Sequence, residues 1–412
     1  MATTTGPSTS TSHEDVPFWP MPRDARCPLD PAPQLAELQT QAPLVRVRLW
    51  DGSTPWLVTR HAEHCALLND RRVSADWARD GYPFFDRFSR DHHQEARFLT
   101  VMDDPEHLRV RRMVASSMRY RTIEASRPKV QRIVDGLIDT ILDGPQPCDL
   151  VTSLALPVPL MVICEKLGIP YEDHSFFRHA VTTITDRTTA PEVASDLEAQ
   201  LYHYLVGLIE RKLADPRDDL LSELVTEQLV PGHLDRHDLV MLVLFLLVSG
   251  HETTASMIAL GTLALLTHPD QIDVLKGLDA DGVAGAVDEL LRYLTTVQPG
   301  RRRVAIDDIE IGGQIIKAGE GIVLPEEIGN RDDRVFDNAH TLDLTQDSHK
   351  QLAFGFGGHQ CVGQTLARME LQVVFGNLFR RIPTLRLAVD LEQVPFMNDG
   401  IGHGVNALPV TW

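Results

Sequence analysis

The chain has 412 residues, of which 43% are hydrophobic and 24% charged, a globular composition that excludes collagen-like, wholly disordered and disulfide-scaffold chains. Its formal net charge of −19 repels polyphosphate, so no nucleic-acid partner is expected. The five scattered cysteines, Cys27, Cys65, Cys148, Cys164 and Cys361, suit free thiols in a reducing cytoplasm better than a bridge framework.

Residues 1–15 are Thr/Ser-rich, lack the apolar stretch of a signal peptide and read as a disordered tail. Val45, Val47 and Leu49 alternate with Arg46 and Arg48, Asp51-Gly52-Ser53 supplies a turn, and Trp56-Leu57-Val58 returns. This predicts a β-hairpin. From about 60 to 290 the pattern is mostly helical, with Val130, Ile133, Val134, Leu137, Ile138 and Ile141 spaced by three and four. Glu172-Asp173-His174 and Asp215-Pro216-Arg217-Asp218 break this region between helices. A helix from Leu234 to Leu266, capped by Asp235 or His237-Asp238 and stopped by Pro269, stands out. At ~1.5 Å per residue it is roughly 50 Å long. It is apolar on nearly every face from 239 to 248, which predicts a path through the interior. That ten-residue apolar run is half the about 20 residues of a bilayer span, so no membrane segment is expected. Short strands and turns follow from about 300 to 345. A last long helix, about Gln364 to Ile382, carries Leu366, Val373, Val374 and Leu378 inward, and Ala407 to Trp412 reads as an edge strand. No repeat or low-complexity linker interrupts 20–412. Residues 16–412 are therefore expected to form one mainly α domain with small β-sheets.

The sharpest chemical signal is Phe354-Gly355-Phe356-Gly357-Gly358-His359-Gln360-Cys361-Val362-Gly363. The glycines permit a tight loop and close approach of backbone to a flat ligand. Cys361 falls at or just before a helix N-terminus, where unpaired N–H groups and the helix dipole favour a thiolate. A thiolate there is a good axial ligand for haem iron. A buried free cysteine beside a Gly-rich turn explains the same residues. A phosphate loop does not, because no Lys-Ser/Thr follows the glycines. Within the long helix, Ser249-Gly250-His251-Glu252-Thr253-Thr254 sets a glycine, an acid and hydroxyls against local propensity. Gly250 allows a local kink, and such a groove could hold a diatomic ligand and a water. Glu252 can relay protons from solvent, and Thr253 can hold the water that delivers them. Taken alone, a Thr bonded to its own i−4 carbonyl beside an exposed Glu accounts for the pattern as well. Glu289 and Arg292, at i and i+3, share a helix face.

The ten-residue loop matches the haem-ligand signature of the cytochrome P450 superfamily, Phe-Gly-x-Gly-x-His-x-Cys-x-Gly, at every defined position, and Leu366-Ala367-Arg368 matches the Leu-Ala-Arg that follows it. The long-helix motif and Glu-x-x-Arg fall in the expected order and spacing, so the chain resembles that family over 16–412. It is most similar to soluble actinomycete enzymes that hydroxylate macrolides, secosteroids and similar secondary metabolites. The resemblance implies the cytochrome P450 fold, a helical prism around a buried haem b (iron protoporphyrin IX), with Cys361 as the iron ligand. It implies a cofactor-binding set of His107, Arg111, Arg303, Phe354, Gly355, His359, Cys361 and Gly363, in which the cations meet the propionates. Arg109, Arg112 and Arg301 read instead as solvated charges, and Arg302 is left open. Gly250, Glu252 and Thr253 take the oxygen-activation place, with Ser249 where Ala or Gly is commoner. Glu289 and Arg292 become a buried pair that supports the haem loop. The family closes that pair with an Arg or His, and counting along the meander puts Thr341 there, beside His340.

Phe84, Phe85, Phe88, Phe245, Val248, Pro299 and Ile401 are expected to enclose an apolar small-molecule substrate. The implied activity is that of a haem-thiolate monooxygenase using O2, with a hydroxylated or epoxidised product. The chain carries no flavin or dinucleotide fingerprint. Electrons are therefore expected from a ferredoxin and its reductase, docking near Arg109, Arg112, Lys350, Arg368 and Arg380. A cytoplasmic monomer with no membrane contact is expected. A fainter similarity to the fungal nitric oxide reductase branch, in Asp51-Gly52-Ser53 and Met257 to Gly261, offers an NADH-dependent alternative. That branch lacks the acid–hydroxyl pair, so Glu252-Thr253 favours monooxygenation.

Overall fold

The computed structural model describes residues 16–92, 98–185, 189–298, 300–397 and 402–412. Helices dominate, and small sheets lie at their margins. The strands among the described residues are β1 (Leu44–Arg46), β2 (Trp56–Val58), β3 (Val73–Ser74), β4 (Cys148–Asp149), β5 (Arg301–Ala305), β6 (Ile309–Ile311), β7 (Gln314–Ile316), β8 (Gly321–Leu324), β9 (Arg386–Leu387) and β10 (Pro409–Thr411). β1 and β2 form the hairpin that the alternation predicts, with Val45 opposite Leu57. The larger sheet has the order β1-β2-β8-β5-β3. It buries Leu44, Trp56, Val58, Ile322 and Leu324 on the side of Leu67 and Leu68. β10 lies between β4 and β9, so the C-terminal strand is central and not an edge. Val410 pairs with Cys148 on one side and Leu387 on the other. Both partners are two-residue strands distant in sequence, so no local pattern announces them.

The helix Tyr120–Asp143 turns Ile123, Val130, Val134, Ile138 and Ile141 into the core, the face its spacing marks. The central helix runs from Arg236 to Thr267. It starts where Asp235 Oδ1 accepts the Asp238 N–H at 2.8 Å. It stops one residue before Pro269, which opens the next helix, Pro269–Gly277. Taken whole, this helix is long and apolar enough to cross a membrane, a property that a count of its uninterrupted apolar run does not reveal. Its apolar surface is instead used in packing against the helices Pro157–Leu167 and Gln364–Arg381. Each fully buried aliphatic side chain contributes about 1.5–3 kcal/mol to such a core. The crossing with Gln364–Arg381 is close because residue 261 is glycine. A Cβ there would lie 2.5 Å from the Phe375 ring.

That contact separates two helical glycines. Gly261→Val is expected to displace Phe375 and cost about 1–3 kcal/mol. A Cβ at Gly136 meets nothing within 4 Å, so Gly136→Ala is expected to gain ~0.5–1 kcal/mol. Urea midpoints moving in opposite directions support this packing; equal tolerance at both positions refutes it.

Candidate active site

The loop before the helix Gln364–Arg381 is shaped by two glycines in the left-handed region, Gly355 at φ 71° and Gly357 at φ 70°. Each also permits a close approach: an added Cβ would lie 2.6 Å from the Arg301 guanidinium or 2.5 Å from the Leu68 carbonyl oxygen, respectively. The Cys361 N–H donates to the Phe354 carbonyl at 2.8 Å and closes the loop on itself. Cys361 thereby faces a cavity of about 250 Å³. Burial pushes its thiol up. The Gly363 N–H and the charges of Arg301, Arg111 and Arg368 act in the opposite direction.

Apolar walls come from Leu246 and Met257 of the central helix, from Leu291, Leu294 and Val297, and from Leu366 and Leu371. Cations gather at one end, where His107, Arg111, Arg301 and His359 line the cavity. The His107 and His359 rings stack 3.9 Å apart. Burial, reinforced by Arg303, His107, Arg301 and Arg111, holds His359 down to about 2. Burial also lowers His107, against the pull of Asp104 at 3.2 Å. Arg303 is not among the described lining residues. It is buried behind them and donates to the Arg302 carbonyl at 2.7 Å, and its charge still reaches His359.

Arg301 departs from the solvated reading. Its side chain is 18% exposed and contacts buried Glu326 at 2.5 Å. Strand alternation is the reason: Arg301 and Arg303 share one face of β5. Arg302 takes the other face, over Phe85 at 5.0 Å and Tyr82 at 5.8 Å.

On the opposite wall, Ser249, Gly250 and Thr253 open onto the cavity. Helical hydrogen bonding continues through Gly250, and an added Cβ would only touch Ile163 at 3.7 Å. Thr253 Oγ1 donates to the Ser249 carbonyl at 3.1 Å, and Ser249 Oγ to the Phe245 carbonyl at 2.6 Å. With its proton so directed, the Thr253 oxygen is left as an acceptor on the cavity side. Glu252 is half-buried, with Oε1 3.7 Å from where a Cβ on Gly402 would stand. Glu370 lines the cavity, and its Oε2 lacks a hydrogen-bond partner among the described residues. Burial raises that carboxyl well above the usual range.

Of the expected substrate residues, Phe245 lines the cavity, whereas Val248 is not among the described lining residues. Phe84 packs with Tyr82 and Val304, and Phe85 with the β1–β2 side of the core. These two aromatics are core and not pocket. Pro299 and Ile401 fall outside the described residues, as does the side chain of Phe88. The reading missed Leu99, Thr100, Met118, Ile163, Glu370 and Arg301. Arg301 alone had a usable signal, its two-residue spacing from Arg303.

Glu289 and Arg292 are fully buried and joined at 2.7 and 2.8 Å. Arg292 donates to the carbonyls of Asn330 at 2.9 Å, Ala339 at 2.6 Å and Thr341 at 2.9 Å. Glu289 accepts the Asp343 N–H at 3.0 Å and the Ser348 hydroxyl at 2.5 Å, with the Gln346 amide 3.4 Å away. Thr341 thus contributes its carbonyl and not its side chain. His340 is exposed, 3.8 Å from Asp333. The pair is closed by Ser348, Gln346 and main chain, which fixes the segment leading into the Cys361 loop.

A thiol on a rigid loop, apolar walls and a cation-rich end fit a flat apolar group that takes sulfur axially and carries carboxylates. The family model described as Cytochrome P450 matches residues 283–397, from the Glu289 helix through the Cys361 loop. Cytochrome P450 GfsF of Streptomyces halstedii is 50% identical, with 97% of each chain covered. The chain belongs to the cytochrome P450 family. The crystal structure of GfsF matches with a TM-score of 0.92 and 48% identity, over 96% of this chain and 100% of that one. Vitamin D3 dihydroxylase of Streptomyces griseolus is 42% identical over 99% of this chain and 100% of its own. The mycinamicin VIII C21 methyl hydroxylase MycCI of Micromonospora griseorubida, bound to mycinamicin VIII, has a TM-score of 0.88 at 38% identity, covering 96% of this chain and 100% of that one. The fold is the P450 fold, the enzyme a P450 monooxygenase and the cofactor haem.

Two outcomes follow for the framework. Arg292→Ala leaves Glu289 charged and buried, and is expected to cost about 3–5 kcal/mol, read as a lowered thermal midpoint. Burial holds His64 and His251 down to about 4 and His403 to about 3. Unfolding lets all three titrate near 6.5, so the unfolded chain binds more protons. Stability is then full above about pH 6.5 and falls as pH drops toward 4, by up to ~1.4 kcal/mol per pH unit per histidine. Urea unfolding at a series of pH values checks the slope, and a flat profile from 6.5 to 4.5 contradicts it.

Proposed function

We propose that this P450 hydroxylates or epoxidises an apolar secondary metabolite, working as one domain over 16–412, a cytoplasmic monomer fed by a ferredoxin and its reductase. The observation that carries the reading is that Cys361, the cation-rich end and Thr253 all open onto one apolar-walled cavity. Cys361 would hold the haem iron through Sγ. His107, Arg111, Arg303 and His359 would meet the propionates, with Phe354, Gly355 and Gly363 framing the macrocycle. Bound haem supplies the activation of O2 and the insertion of one oxygen atom into the substrate.

The chain's own residues position and protect that chemistry. Thr253 offers its oxygen to a water at Gly250, and Glu252, half-exposed, passes protons inward from solvent. Phe245, Leu246, Met257, Leu294 and Val297 exclude bulk water and bind an apolar molecule by burial, about 25 cal/mol per Å². The names of the relatives support a bulky apolar substrate, one being a mycinamicin VIII hydroxylase and another a vitamin D3 dihydroxylase. Arg109, Arg112, Lys350 and Arg380 are exposed and suit an acidic donor, although Arg109 also pairs with Glu106 at 2.8 Å and Arg380 also donates to the Leu278 carbonyl at 2.6 Å. Arg368 is committed elsewhere, to Asp288 at 2.9 Å and over the Phe354 ring at 4.5 Å. The nitric oxide reductase alternative has less support, because the acid–hydroxyl pair is present and these relatives carry hydroxylase names.

Two variants test the reading. Cys361→Ser is expected to abolish the red-shifted band of the carbon monoxide complex of the reduced protein. Thr253→Ala is expected to keep that band and the spin shift caused by an apolar ligand, while product formed falls ~100-fold. A red-shifted band surviving in Cys361→Ser would falsify the assignment of the iron ligand.

A further inference from the structure

The Arg301–Glu326 contact is not needed for the family's haem chemistry as described above, yet it is built into the wall of the site. Gly300, at φ 102°, lets the start of β5 press on Pro325; a Cβ there would lie 2.5 Å from Pro325 Cα. Arg301 stands opposite Leu324 in the β5–β8 register, two residues from Glu326. The two side chains meet at 2.5 Å, with Glu326 2% exposed. Among the described residues, neither Arg301 Nε nor either carboxylate oxygen of Glu326 makes an aligned hydrogen bond. The pair is held chiefly by charge and leaves guanidinium donors to give elsewhere. Arg301 lines the cavity. Its guanidinium lies over Gly355 of the Cys361 loop, in the group of charges that, with Arg111 and His107, acts on His359.

Charge at this end makes the case. Arg111 and Arg301 line the cavity at this end, and Arg303 lies buried behind them. Asp103 is taken up by Arg79 at 3.5 Å and by Ser74 Oγ and the Ala75 N–H. Glu326 is the carboxylate in contact with Arg301, so guanidinium charge is in excess where a dicarboxylate is to sit. We infer that Arg301 is an additional anchor for a haem propionate, and that Glu326 is its buried counter-charge, a positioning residue that aims the guanidinium and offsets the third positive charge. The inference rests on haem occupying the Cys361 cavity.

The test uses the haem-loaded protein, free of substrate, and reads haem transfer to excess apomyoglobin together with the ferric/ferrous midpoint potential. Arg301→Met removes a charge-assisted anchor and is expected to speed haem loss ~10-fold or more. It is also expected to lower the potential, because a nearby positive charge favours the reduced state. Glu326→Gln is expected to raise the potential, and Arg301→Met/Glu326→Gln to return it toward the parent value. Arg301→Lys, which keeps the charge but loses the fork, is expected to fall between parent and Arg301→Met. Should Arg301→Met not accumulate, Arg301→Lys and Glu326→Gln carry the same two readouts. Unchanged potential and haem loss in both single variants overturn the inference, as do shifts of the same sign, which mark a merely structural pair. An effect confined to the affinity for a carboxylate-bearing apolar ligand also overturns it and makes Arg301 a substrate contact. A parent protein that purifies colourless sinks the haem reading itself, whereas a red parent with an indifferent Arg301→Met sinks this inference alone.

Discussion

A sulfur atom that is to carry negative charge in an apolar cavity must have dipoles and cations arranged around it in advance, and the structure around Cys361 meets that requirement. Desolvation raises the thiol. The opposing field comes from the Gly363 N–H two residues on and from guanidiniums delivered by three separate elements. The guanidiniums cannot be placed by the loop itself. The loop supplies closure, through the Cys361–Phe354 hydrogen bond and two glycines in a conformation that other residues rarely adopt. The helix carrying Arg111, the strand carrying Arg301 and the helix carrying Arg368 then converge on it.

Convergence of that kind needs a rigid frame, and Glu289–Arg292 provides one. Its hydrogen bonds reach main chain at Asn330, Ala339, Thr341 and Asp343, and the Ser348 side chain. A charged pair with no water is stable only when nearly every donor and acceptor is answered. Here the answering groups come from the irregular stretch that leads to the cysteine. The stretch has little regular structure of its own, so the pair takes the place of a secondary element.

Much of this was legible in the sequence, for definable reasons. The cysteine loop declares itself because glycine, histidine and cysteine at fixed offsets satisfy several geometric demands at once. The β1–β2 hairpin and the inward face of Tyr120–Asp143 follow from periodicities of two and three to four. The misreadings share a cause, which is that partners lie far away in the chain. Phe84 and Phe85 look like lid aromatics until Tyr82, Val304 and the β1–β2 core are seen against them. The C-terminal strand looks like an edge until β4 and β9 flank it. Counting positions pointed to Thr341 as the closure of Glu289–Arg292, but Thr341 gives only its carbonyl, and the side-chain contacts come from Ser348 and Gln346. Arg301 was obscured by company: three consecutive arginines look solvated, but the strand separates them into two that face inward and one that stacks on aromatics.

The central helix carries one more implication, and it concerns the order of synthesis. Arg236–Thr267 is apolar on nearly every face over 239–248 and again from Ala255 onward, and relies for part of its cover on Gln364–Arg381. About 100 residues must be translated between the two, which at ~5–20 residues per second takes roughly 5–20 s. During that interval a segment with the composition of a bilayer span waits in water with one flank bare. The ribosome-bound chain is therefore most prone to aggregation or chaperone capture just before its haem-binding end emerges, and completing the Cys361 loop and the helix behind it also covers the flank that this earlier helix leaves bare.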